Sequence, residues 1–491
     1  MPPQAPSLMP KQRWHYLLLL FLVADLGYSL WQYLQFPLDG DLASLVWPSK
    51  GYTPVLHDPL GLRALLHHEM YPAPNRFFAH FFLFEYFHHV PRLLQSMLSP
   101  LDSVYAACAL LKLAIHALLV YVLAVVISNS RNVLGRDFVL AAVLVTPLFQ
   151  TSGYNGQMGV MEWAISYTAF YALPVSLLLL FFLPYARQAL HDTPAHISAL
   201  GYAGLLGLAV VLALNGPLIP AIVLIICPTV LLLSWRRHFL AQPRHLAWAQ
   251  RATAAVAGLP KAQLALFVAF SALSLYSMYI GRYNSENQWA SISLGERYAR
   301  LPLGVYYQLS SKLGLPLLLL LLLVNAWLIR RRISAPLGGR TLRALRWLAL
   351  FSLVYILLLP LGGYRAYREY IIRRDTILPV LIGMMGCFAL SAYCLLTYLP
   401  APARRWYGAV MVAVGALFTV ADKPRPSDFN ACQRQQFTTL ATSRESIVQL
   451  PADCPVLEWD PITDYRKSEL GGNMLAYWGI TQTPKRYYQK E

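Results

Sequence analysis

Charged side chains are scarce in this chain: only 13% of its 491 residues are Asp, Glu, Lys or Arg, against 57% hydrophobic ones. A soluble protein of that size needs a far more polar surface, and the mean hydropathy of +0.45 excludes a cytosolic enzyme. Acidic residues are the scarcer sign, 23 against 40 Lys and Arg, for a formal net charge of +17. In a polytopic protein such an excess first orients loops toward the cytoplasm, so no nucleic-acid partner is implied. No GxxxxGK[ST] run is present to cradle a nucleotide, and no HExxH or CxxC spacing is present to hold zinc. Internal repeats and low-complexity tracts are also lacking beyond the leucine runs. Of the 6 cysteines, Cys108, Cys227, Cys387 and Cys394 lie in apolar stretches, where a thiol behaves as a small hydrophobe. Cys432 and Cys454 lie in a polar tail, either bridged, which requires an oxidising compartment, or as two unrelated thiols.

What the chain does have is long apolar runs recurring from residue 16 to residue 420. The first, 14–36, is too long for a signal-peptide core and lacks a small-residue cleavage site, so it reads as a retained helix. Further runs lie at 103–128, 138–149, 167–183, 197–214, 218–235, 262–280, 313–329, 347–359, 377–399 and 407–420. The expected fold is an all-α integral membrane protein with about eleven transmembrane helices. Those starting at Phe138, Trp347 and Tyr407 are short of the roughly 20 residues a bilayer asks for. Alternate loops carry the arginines: Arg131 and Arg136, Arg187, Arg236 to Lys261, Arg330 to Arg346, and Arg404 with Arg405. That places these loops and the amino terminus in the cytoplasm. The opposite face then receives outer loops 37–102, 281–312 and 361–376 of a polytopic domain, 1–420, and a small extracytoplasmic C-terminal tail, 421–491.

Chemistry concentrates on that outer face. Asp39 and Asp41 flank Gly40 where the chain leaves the first span. A carboxylate partly desolvated at an interface has a raised pKa and can act as a general base on a hydroxyl; the alternative is that one of them caps the next segment. The first loop also holds Asp58, Arg76, Glu85 and half of the chain's 12 histidines, His80 among them. Without a specific ligand spacing they imply no metal, and a divalent cation is at most optional. The run from Arg76 to His89 reads as an interfacial helix carrying Phe77, Phe78, Phe81, Phe82 and Phe84 into lipid.

Arginines are disfavoured in short outer loops, yet Arg282 lies in the second, and Arg365, Arg368, Arg373 and Arg374 crowd the third. Their planar donor forks suit phosphate oxygens; the alternative pairs them with Glu369 and Asp375 or with lipid headgroups. Glu162, Trp163, Tyr364 and Tyr367, with Tyr154, Asn155 and Tyr167, offer polar and aromatic faces for a sugar, or belong to an interfacial belt. Intramembrane ionisable residues are few, chiefly Asp25, Lys112 and His116, where an ion-driven carrier usually has a relay of them.

The acidic pair after the first span, the long first outer loop and the later outer arginines together make a layout that resembles membrane glycosyltransferases of GT-C architecture. The strings Pro74-Asn75-Arg76-Phe77-Phe78 and Trp163-Ala164-Ile165-Ser166-Tyr167 are similar to segments of bacterial O-antigen-modifying transferases. The resemblance covers most of the spanning region but not the tail, and an adjacent Asp-Asp or Asp-Glu pair is missing. It implies transfer of a sugar from a polyprenyl-phosphate donor to an envelope glycan or lipid acceptor, at the outer face of a bacterial cytoplasmic membrane. Asp41 or Asp39 would be the base. Arg365, Arg368, Arg373 and Arg374, with Arg76 and Arg282, would hold the donor phosphate, and Asp58, His80, Glu162, Trp163, Tyr364 and Tyr367 would contact substrate. Two other functions fit the same layout: a transporter or flippase of a lipid-linked glycan, whose cationic groups should line a central cavity, and an O-antigen ligase or polymerase.

Overall fold

The computed structural model describes residues 11–149, 158–194, 196–216, 218–289, 292–362, 368, 370–422 and 427–490. Among the described residues eight helices are long and apolar enough to cross a bilayer: Trp14–Leu34, Pro100–Ser128, Ile165–His191, Ile219–Ala241, Lys261–Tyr283, Gly314–Arg332, Pro336–Gly362 and Leu378–Tyr398. The protein is thus an all-α multi-pass membrane protein with little strand. The other three expected spans are helices of a different kind. Arg136–Val145 has 10 residues and covers about 15 Å, half of a typical hydrocarbon core. Ala199–Ala213 has 15 residues, and Ala401–Ala421 is longer but less apolar. The span expected to start at Trp347 starts instead at Pro336 and is not short. Proline is pre-set for the first helical turn, and Arg340, Arg343 and Arg346 ride on the helix rather than ending it.

Burial sorts the helices into layers. Leu378–Tyr398 is 72% buried along its apolar window and Pro336–Gly362 only 11%, so the first is central and the second turns its leucines outward. Several polar groups inside the bundle are joined to one another, which offsets the cost of burying them away from water. Asn325 donates to Ser391 (2.9 Å) and accepts from Tyr407 (2.9 Å). Thr146 donates to Asp25 (2.8 Å), and Tyr33 meets His116 at 2.9 Å.

The two ends of the bundle differ in character. At one, Arg187 donates to Asn129 (2.9 Å), Asn129 to Thr193 (3.0 Å), and Arg340 pairs with Asp192. Three of the arginine-bearing connections therefore meet there. At the other end sits the first long loop, 37–102, with short helices Leu42–Val46, Thr53–Leu56 and Leu62–His67 and the longer Phe77–Leu94. Phe77–Leu94 does not turn all its phenylalanines to lipid: Phe77 is buried in the protein, as is Phe87, whereas Phe81 is exposed.

The tail folds onto that loop. It comprises helix Ser427–Thr442, β1 (Ile447–Pro451), helix Glu469–Tyr477 and β2 (Arg486–Lys490), with the two strands parallel and Val448 opposite Tyr487. A disulfide joins Cys432 to Cys454. The tail shares one hydrophobic core with the loop. Trp478 is buried and its indole donates to the Phe87 carbonyl (2.9 Å), while Gln433 accepts from Leu38 N–H (2.8 Å) and donates to Leu38 C=O (3.0 Å).

Candidate active site

The two aspartates of the Asp39-Gly40-Asp41 turn have different surroundings. Asp39 is fully buried and accepts three hydrogen bonds, from Asp41 N–H (3.0 Å), the Ser166 hydroxyl (2.9 Å) and Ser166 N–H (3.1 Å). Ser166 lies in the first turn of the helix starting at Ile165, where amides lack intrahelical acceptors and the helix dipole favours a negative charge. Asp39 anchors the turn to that helix.

Asp41 is half-buried and occupies the N-cap position of Leu42–Val46, yet its side chain makes no capping bond. It accepts instead from the indole N–H of Trp459 (3.0 Å). Burial raises its pKa above the ordinary carboxylate value, and the charges of Asp39 and Glu286 push the same way; the Trp459 bond and Arg368 oppose them. A carboxylate so placed accepts a proton more readily than a free one.

The arginines come to the same place from the third loop. Arg368 donates to the Tyr167 hydroxyl (3.3 Å) and to Asp375 (3.1 Å). Arg373 makes a two-pronged contact with Asp375 (3.1 and 2.7 Å), and Arg374 pairs with Glu162. Arg374, with its partner Glu162 and with Asp375, lines a small open cleft together with Gly159, Val160, Tyr167, Tyr171 and Leu378. Tyr171 lies within electrostatic range of Arg368, Arg373, Asp375 and also Arg76, which reaches the cluster from the first loop. Tyr167 and Tyr171 flank or occupy a π-helical turn, Thr168–Ala172. Pro174 follows four residues after Phe170 and cannot donate to its carbonyl, which locally widens the helix.

An aromatic corner stands beside Asp41. Trp459 meets Trp163 edge to face at 5.5 Å and Tyr167 at 5.9 Å. Glu286, from the second loop, accepts from the Tyr52 hydroxyl and lies within electrostatic range of Asp41 and His80. His80 is buried against Phe170 (5.1 Å) and Tyr52 (6.3 Å). Burial, reinforced by Arg76, lowers its pKa to about 4, so it is neutral at physiological pH.

The structure thus gathers Asp39, Asp41, Arg76, Arg368, Arg373, Arg374, His80, Glu162 and Trp163 around one region. Asp58 is engaged elsewhere, accepting from Leu62 N–H (2.7 Å), Arg63 N–H (2.8 Å) and the Tyr71 hydroxyl (2.7 Å), so that it holds the start of Leu62–His67. Arg282 lies over the Tyr279 ring at 5.8 Å. Tyr364, Arg365 and Tyr367, like Tyr154, Asn155 and Glu369, fall outside the described residues. Among the described residues no group of three or more His, Cys, Asp or Glu side chains converges as for a metal ion.

The sequence offers Asp375 only as a partner of the arginines, and it does not point to Ser166, Glu286 or Trp459 as parts of this site. Ser166 had a signal, its place after Trp163 at the start of an apolar run; Trp459 had none that pointed to Asp41. Neither a protein-family model nor a curated protein matches the chain.

Proposed function

We propose that the protein is a membrane glycosyltransferase that moves a sugar from a polyprenyl-phosphate donor to an envelope glycan or lipid acceptor. The observation that carries this reading is the chain of contacts from Asp41 through Trp459 and Tyr167 to Arg368, which unites a carboxylate of raised pKa with a cationic cluster from a distant loop. Asp41 takes the proton of the acceptor hydroxyl as that oxygen bonds to the sugar C1, and the bond from C1 to the donor phosphate oxygen breaks. The departing lipid phosphate gains one negative charge, which Arg368, Arg373 and Arg374 stabilise. A single displacement of this kind inverts the anomeric centre. No nucleotide is consumed, because the donor is already activated.

The reaction is assigned to the outer face of a cytoplasmic membrane. Eleven crossings with the amino terminus inside put the tail outside, with Arg136–Val145, Ala199–Ala213 and Ala401–Ala421 as the three beyond the clearly apolar eight. Two features support that count. The chain passes from the arginine-bearing end near Asn129 to the cleft at Gly159 even though the helix between them is short. The Cys432–Cys454 disulfide belongs in an oxidising compartment, and the tail that carries it packs on the first loop.

The test is transfer of a radiolabelled hexose from a short-chain polyprenyl phosphate by purified protein in nanodiscs. Asp41→Asn is expected to lose on the order of 10²-fold or more in turnover, the usual contribution of a general base. Full activity in Asp41→Asn would remove the base and with it the reading.

A further inference from the structure

The middle residue of the Asp39-Gly40-Asp41 turn explains how the tail enters the site. A Cβ built on Gly40 would stand 2.6 Å from the backbone carbon of Glu458 and 2.6 Å from the backbone nitrogen of Trp459. The tail backbone therefore lies directly on Gly40, and only glycine leaves it room. Asp39, on one side, is tied to Ser166; Asp41, on the other, is met by the Trp459 indole N–H at 3.0 Å. The segment that carries Trp459 is itself fixed: Cys454 is bridged to Cys432, Val456 and Leu457 are buried, and the Val456 carbonyl accepts from Tyr487 (3.0 Å). Trp459 remains 42% exposed, although it is held against Trp163 and Tyr167. An indole kept half in solvent with its one donor aimed at a carboxylate is not serving as core.

We propose that the C-terminal tail is a working part of the site, and that Trp459 is a positioning residue which orients Asp41 and sets the pH at which it becomes charged. The indole donates to the charged form of Asp41 and so favours it. It opposes burial, Asp39 and Glu286, and acts in the same direction as Arg368. Glu458, the preceding residue, also lies within electrostatic range of Asp41, and burial raises its pKa. The tail thus brings one donor that steadies the charged carboxylate and one acid that resists it. The inference builds on the reading of Asp41 as the reacting carboxylate, but its test does not need transferase activity.

The full-length protein in nanodiscs is treated with a water-soluble carbodiimide and an amine, which together modify protonated carboxyls, over a range of pH. Tandem mass spectrometry then separates modification at Asp41 from that at Asp39. In Trp459→Phe, which keeps a ring but loses the N–H, the midpoint for Asp41 is expected to rise by about half to one pH unit, the size of a single hydrogen-bond contribution. Gly40→Ala, which pushes the tail backbone away while keeping the indole, is expected to move it the same way. An unchanged midpoint in Trp459→Phe overturns the proposal. A second measurement leaves both side chains in place. In protein labelled with fluorotryptophan, the Trp459 resonance, assigned by its loss in Trp459→Phe, should titrate with pH in the native chain and not in Asp41→Asn; a resonance indifferent to Asp41 overturns it equally. A shifted midpoint in a protein that transfers no sugar would leave the positioning role standing and remove the transferase reading. Transfer that depends on Asp41, with no shift in Trp459→Phe, would do the reverse.

Discussion

Replacing Asp39 by alanine takes away the acceptor of three donors at once: Asp41 N–H, Ser166 N–H and the Ser166 hydroxyl. Asp39 and Ser166 are both fully buried, so water does not substitute for the lost oxygens. A buried donor left unsatisfied costs about 1–3 kcal/mol. The hydroxyl can rotate toward another acceptor, so the two amides dominate, at about 2–6 kcal/mol together. Removing a buried charge recovers part of that through desolvation, but Lys112, within electrostatic range, loses a counter-charge. A net loss of about 3 kcal/mol follows. Asp41→Asn, in contrast, keeps an acceptor for the Trp459 indole in a half-open position, and should change stability by less than about 1 kcal/mol. The buried thiols Cys108, Cys227 and Cys394 offer the assay: a thiol-reactive fluorophore reports their exposure as the protein is heated in detergent. Such unfolding is read as a rate-dependent midpoint, so all variants are scanned at one heating rate. Asp39→Ala should melt well below the wild type and Asp41→Asn beside it. An Asp39→Ala protein that melts normally but transfers no sugar would refute the anchoring role and make Asp39 the base.

Two further outcomes can be measured independently. His80 titrates near 4 in the fold and near 6.5 in the unfolded chain, so the unfolded chain binds the extra proton between those values. Stability from this group is full above about pH 6.5 and falls as pH drops toward 4, by about 3 kcal/mol in all; His80→Phe should flatten that limb of the melting profile, and an unchanged limb would contradict a buried neutral ring. Reducing the Cys432–Cys454 bridge, which spans 22 residues, should destabilise the tail by about 3 kcal/mol and speed its proteolysis without releasing fragments from the spans. Equal cleavage rates with and without reductant would show that docking on the first loop alone holds it.

The spanning helices were legible because a run of leucine needs no partner to declare itself: 313–329 and 377–399 read directly as Gly314–Arg332 and Leu378–Tyr398. The start of Pro336–Gly362 was not, since Arg340, Arg343 and Arg346 depress the local hydropathy over a helix that begins with proline. Within the candidate site, the acidic pair and the third-loop arginines were visible because charge beside a span is costly. What divides Asp39 from Asp41 was not visible, because it is set by Ser166, 127 residues on, and by Trp459, 418 residues on. The pairing of Arg368 and Arg373 with Asp375 was one of two options the sequence allowed, and their shared partner Asp375 lies in the lining of the cleft. Tertiary hydrogen bonds over such separations leave no periodic trace.

The bond between Asp41 and Trp459 also orders events during synthesis. At about 5–20 residues per second, translation needs on the order of tens of seconds to supply the indole after the aspartate. Throughout that interval the growing bundle holds an acid without its regulator. A chain that stops between Ala421 and Trp459 carries every spanning helix and the Asp39-Gly40-Asp41 turn but not the indole, so the contact on Asp41 is made only after the bundle is complete.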